Sequence, residues 1–275
     1  IIIFYNISQF FFSNNNSQTI FFLITSLFSV TLIDYVQFDA SEFPLRIFIL
    51  LFFQFIFLKI LTTNKNQFIL LLMLGFLSVC SFLWTIDMGI FNNFLLVLIL
   101  VFFIIRKDFH KIKFIIFGII SGWISLVYLL GYNEIIHLFE TSYFMITNVD
   151  QASGFIYPTP FLSGEARFTK ALLMYILSGV LLVFLCFKKD FEVPPFLKIF
   201  FISLYISSIL VFKQALTRSD TPHLKAASGI TYLIIVTIIL FFILHYVRKN
   251  NFYLTFFKKL NKKNFNKIFS FVFIF

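Results

Sequence analysis

Eight runs of almost purely apolar residues punctuate this chain, and no other feature narrows its fold as far. They are Ile20–Ile33, Ile47–Leu61, Phe68–Trp84, Phe91–Ile105, Phe114–Leu130, Ala171–Phe187, Phe196–Phe212 and Ile230–Val247. A helix needs about 20 mostly apolar residues to cross the hydrocarbon of a bilayer, within a range of roughly 17–25. The first, second and fourth runs fall short of that and must borrow flanking residues. All eight are continuously apolar, without the period-two alternation of barrel strands, so helices are expected. Composition agrees: 60% of the 275 residues are hydrophobic, 46 are Phe, and only 12% are charged. A soluble domain carries about a quarter charged residues and needs them to cover its exterior. A soluble enzyme, a disordered chain and a disulfide scaffold are excluded.

The expected fold is therefore all-α: a polytopic transmembrane bundle of about eight spans over residues 20–247. A short segment, 1–19, precedes it and a basic tail, 248–275, follows. The chain opens at Ile1 without Met, which points to a fragment or an unusual start codon. Ile1–Thr19 shows no charged n-region or small-residue cleavage site. Cys80 and Cys186 both fall in apolar runs and read as small hydrophobes, not as a disulfide or a metal pair. Abundant Phe, Ile, Asn and Lys reflect AT-rich coding, compatible with a bacterial or an organelle genome.

Charge divides between the two sets of connections. One set, with Lys65, Arg106–Lys113, Lys188-Lys189 and the tail, together with Lys59 and Lys198, holds 16 Lys/Arg and three acids. The other holds six Lys/Arg and nine acids, so faces of +13 and −3 make up the net +10 of the chain. Lys and Arg accumulate on the cytoplasmic side of membrane proteins, which places the basic face and both termini there. The basic balance then needs no nucleic acid. The bilayer is the expected partner, with Lys258-Lys259 and Lys262-Lys263 resting among aromatics on anionic headgroups.

Chemistry-bearing residues gather at three places on the opposite face. The first is the turn Trp84-Thr85-Ile86-Asp87-Met88-Gly89. Asp87 reads either as an interfacial turn acid with Trp84 as belt anchor, or as a functional acid held near the membrane. The second is a connection of about forty residues, 131–170, much longer than is usual between helices. Within it Glu134, His137 and Glu140 recur at helical spacing, and Glu165 lies beside turn-rich sequence. The third is an expected loop over 213–229, with Lys213, Arg218, Asp220, His223 and Lys225 close together. Arg offers a planar fork for phosphate or carboxylate, and Lys adds a point charge. His223 can transfer a proton near neutral pH, and Asp220 can orient it or pair with Arg218. The bland alternative is a solvated loop with an internal Arg218–Asp220 pair. A cationic loop on an otherwise acidic face nonetheless suggests an anionic ligand. No phosphate loop, metal spacing or nucleophile elbow is present, so no metal and no cofactor are expected. Acids, Arg and His are essentially missing from the runs, which counts against a proton-translocating subunit.

The stretch Ala215-Leu216-Thr217-Arg218-Ser219-Asp220-Thr221-Pro222-His223-Leu224 resembles the Ala-Leu-x-Arg-Ser-Asp-x-x-His-Ile/Leu loop of large bacterial inner-membrane proteins of surface-polysaccharide assembly. Trp84–Gly89 is similar to their Trp-Ser-x-Asp-Arg-Gly turn, with Met88 in place of the Arg. These proteins resemble membrane glycosyltransferases and O-antigen polymerases or ligases. The resemblance implies a polyprenyl-linked sugar as partner at the outer face of a bacterial inner membrane. Arg218, with Lys213 or Lys225, would hold the diphosphate. Asp87 or Glu165, or else His223, would activate the acceptor hydroxyl. Two other classes stay open: a transporter or flippase component, and a structural subunit of an organelle-encoded membrane complex.

Overall fold

The computed structural model describes residues 18–19, 43–63, 66–148, 161, 166–187, 193–217 and 221–249. Among them the fold is all-helical, with eight helices of more than one turn. In chain order these are α1 (Phe43–Thr62), α2 (Gln67–Trp84), α3 (Ile86–Ile105), α4 (Phe109–Leu130), α5 (Tyr132–Thr147), α6 (Ala166–Phe187), α7 (Pro195–Thr217) and α8 (Thr221–Lys249). Seven of the eight apolar runs coincide with α1–α4 and α6–α8. The run at Ile20–Ile33, the segment 1–17 and the tail beyond 249 lie outside the described residues.

α1 sits at the centre, packed on α2, α3, α7 and α8. It is apolar around its whole circumference, as a helix enclosed by others must be. Phe53 and Phe57 are fully buried in the core that joins both halves of the bundle. One buried polar residue, Gln54, interrupts α1. The Gln54 amide donates to Ser203 Oγ at 2.9 Å and Ser207 Oγ at 2.7 Å, and its oxygen accepts from Ser203 Oγ at 3.1 Å. A buried amide must be satisfied in this way, and here the bonds tie α1 to α7.

The most intimate packing is between α2 and α4. Gly118 and Gly122 form a Gly-x-x-x-Gly pair on α4, and Gly75 faces them from α2. A Cβ on Gly75 would collide with the Ile115 carbonyl, and one on Gly118 with the Leu72 carbonyl. Small residues let helix backbones touch where no hydrophobic effect drives association, as in lipid.

Outward faces are apolar too. On α4, Ile116, Phe117, Ile120, Ile124 and Val127 are exposed, and on α6 Ile176, Val180, Val183 and Phe187 are. Rows this apolar are larger than water tolerates and need a lipid solvent. Five helices contain stretches long and apolar enough to cross a membrane: Gln67–Trp84, Ile86–Ile105, Phe109–Leu130, Phe168–Phe187 and Pro195–Phe212. Shorter apolar stretches, Ile47–Thr62 and Ala227–Ile243, lie in α1 and α8. These features are those of an integral, multi-pass membrane protein. Cys80 and Cys186 are both free and half-buried in their helices.

Apart from α5, the helices alternate in direction, which sorts their ends. Ile60 of α1, Gln67 of α2, Phe103 of α3, Lys111 of α4 and Phe196 of α7 line one cavity and so define one end of the bundle. Arg106, Lys107, Asp108 and Lys111 are gathered there. The α2–α3 turn, the C-terminal end of α7 and the N-terminal end of α8 belong to the opposite end.

Candidate functional site

A single extended residue, Thr85, separates α2 from α3 (φ −159°, ψ 150°). Its Oγ1 accepts from the Met88 N–H at 3.4 Å and its carbonyl from the Gly89 N–H at 3.0 Å, which starts α3 at once. Asp87 therefore lies in the first turn of α3, where the helix dipole favours an anion. It is half-buried, and among the described residues no cation stands within ion-pair distance of it. Met88, which replaces the Arg of the similar turn, is fully buried in the core. Gly89 leaves room for the Phe82 ring, which a Cβ would strike.

Beneath this turn lies a polar layer that the apolar run had concealed. The Asn93 amide donates to the Ser78 carbonyl at 2.9 Å and the Gly89 carbonyl at 2.8 Å. Ser81 Oγ donates to the Ser78 carbonyl at 2.6 Å. Asn92 is fully buried, and neither its amide nitrogen nor its oxygen has a hydrogen-bond partner among the described residues. It shares its face of α3 with Met88, Leu95 and Ile99. Asp87 sits about 140° away around the helix and about 7.5 Å higher, so the two do not converge. The Asn-Asn pair within an otherwise apolar stretch was the signal in the sequence.

α5 occupies the start of the long connection, where Glu134, His137 and Glu140 recur. His137 Nδ1 stands 3.5 Å from Glu140 Oε2, with both side chains largely exposed. Gly131 makes the corner from α4 with φ 88°, a conformation open to glycine and strained for other residues. Ile135 anchors α5 on Val79 and Leu126, and Trp123 stacks on Phe139 at 5.5 Å.

The expected loop over 213–229 is helical in its described parts, 213–217 and 221–229. α7 continues through Lys213 to Thr217, and α8 already contains His223 and Lys225 in its first two turns. Lys, Gln, Ala and Leu are good helix formers, so loss of hydrophobicity did not end α7. Pro222 fits the first turn of α8, where a missing N–H leaves no intrahelical bond unmade. The residues between the helices, including Arg218 and Asp220, lie outside the described residues, as does Glu165. Asp87, Lys213, His223 and Lys225 thus all belong to one end of the bundle by chain position, on three helices. Comparison with protein-family models, with curated proteins and with solved structures returns no match.

Proposed function

We propose that this multi-pass membrane protein transfers or polymerises glycans from polyprenyl-linked sugars at the bundle end that carries Asp87. The support for this reading is that Trp84–Gly89 and the described parts of Ala215–Leu224, the two stretches that resemble those of polysaccharide-assembly proteins, belong by chain position to the same end of the bundle. The basic residues Arg106 and Lys111 occupy the other end, which we assign to the cytoplasm of a bacterial cell. In this reading Asp87 takes the proton of the acceptor hydroxyl as its oxygen bonds to the anomeric carbon. The bond from that carbon to the diphosphate breaks, and Arg218 with Lys213 or Lys225 takes up the charge of the departing polyprenyl diphosphate. Glu165 and His223 are the alternative bases. Replacing Arg218 by Ala, or Asp87 by Asn, should lower glycan transfer by roughly a hundredfold or more with membrane insertion intact. Unchanged glycan profiles in both variants would sink the reading.

One observation favours a second reading, transport. Asn92 is buried without a partner, and Gln54, Ser203 and Ser207 put further polar groups deep between spans. Intramembrane polar groups mark substrate paths in transporters. Flux of a labelled anionic lipid into vesicles, lost in Asn92→Leu while glycan transfer persists, would favour transport.

A further inference from the structure

The cavity at the basic end has a volume of about 170 Å³ and lies where α1, α2, α3, α4 and α7 converge. Phe103, Ile60 and Ile199 give it apolar walls, and Arg106 and Lys111 line it with cations. Both cations are held in place over aromatic rings. The Arg106 guanidinium stands 5.5 Å from the Phe102 ring centre, and Lys111 Nζ stands 5.2 Å from that of Phe103. The carboxylate of Asp108 serves both cations, at 4.0 Å from Arg106 Nε and 3.4 Å from Lys111 Nζ. Two cations on one acid leave a net positive charge. Lys107 and Lys113 add to the field on the same face without lining the cavity. Lys198 is turned to another task, donating to the Cys186 carbonyl at 2.9 Å.

The surroundings are membrane-facing. Phe68, Ile104, Ile105 and Phe109 are exposed apolar residues at this same level of the bundle. A ligand here meets cations and apolar surface together. The cavity has room for a phosphate ester and its first carbons. Basic pockets between spans on this side of a membrane suit lipid head groups. We propose that the cavity binds the phosphate of an anionic phospholipid from the leaflet at the basic end. Its acyl chains would lie on the exposed apolar residues outside.

The test titrates the purified full chain in neutral detergent with phosphatidylglycerol, phosphatidylcholine or inorganic phosphate, and counts bound copies by native mass spectrometry. Phosphatidylglycerol should be retained at least about tenfold better than phosphatidylcholine and should survive competition by inorganic phosphate. Arg106→Gln with Lys111→Gln should cut that retention by about thirtyfold, the order expected when two cations stop attracting an anionic lipid. Asp108→Asn, which frees both cations, should raise it several-fold. Lys107→Gln with Lys113→Gln, which weakens only the surrounding field, should lower it by clearly less. Equal retention of the two lipids, or an equal loss in the Lys107/Lys113 variant, overturns the proposal. Displacement of the lipid by inorganic phosphate would mean a free-anion site and also overturns it. Should the Arg106/Lys111 variant not fold, the Asp108 variant decides, and no gain there counts against the cavity.

Discussion

Two buried amides, Gln54 and Asn92, have opposite energetic standing. Gln54 bonds to two serine hydroxyls across the α1–α7 interface, whereas Asn92 is enclosed with both amide atoms unpaired. Hydrogen bonds between membrane helices are each worth about 0.6 kcal/mol on average. Gln54→Leu should therefore destabilise by about 1 kcal/mol, softened because Ser207 already donates to the Ser203 carbonyl at 2.9 Å. Enclosing an unpaired polar group costs about 1–3 kcal/mol, so Asn92→Leu should stabilise by a similar amount. Reversible unfolding in mixed micelles would measure both, and a shift of the same sign in the two variants would contradict this assignment. A stabilising Asn92→Leu would also mean that the native residue is kept at a cost in stability, as residues at functional sites often are.

Helices α2 and α4 depend on three glycines, and here a single side chain should matter more than any one hydrogen bond. Gly118→Leu would drive a branched side chain into the α2 backbone and should destabilise by about 3 kcal/mol or more. Ile120→Leu, on the exposed side of the same helix, should be nearly neutral. Thermal unfolding in detergent would compare them. The apolar runs foretold where the helices are, because hydrocarbon tolerates nothing else for that length. They did not foretell where helices stop. α3 begins with Ile86, Asp87 and Met88, five residues before its apolar run, because Thr85 caps it there. α7 passes through Lys213 and Gln214, whose propensity for helix is undiminished by their polarity. Seen from hydropathy alone, 213–229 read as one loop, whereas 213–217 and 221–229 are helical. The face that each helix buries was equally hidden, since Gly75, Gly118 and Asn92 take their meaning from a partner distant in sequence.

Over the whole molecule, Arg106, Lys107 and Lys111 lie at one end of the bundle and Asp87 at the other. With Cys80 and Cys186 replaced by Ala, Thr85→Cys and Lys107→Cys should react with a membrane-impermeant maleimide from opposite sides of sealed vesicles. Labelling of both from one side would contradict the alternating arrangement. The pairing of α2 with α4 also bears on how such a chain is made. These helices run parallel and are not consecutive, so α3 must already have crossed back before their glycines can meet. Thr85 alone joins α2 to α3, too short a tether for either to be left behind. The smallest unit able to close in the membrane during synthesis is therefore a trio. A ribosome stalled before α4 emerges would leave Gly75 with no surface against which to settle.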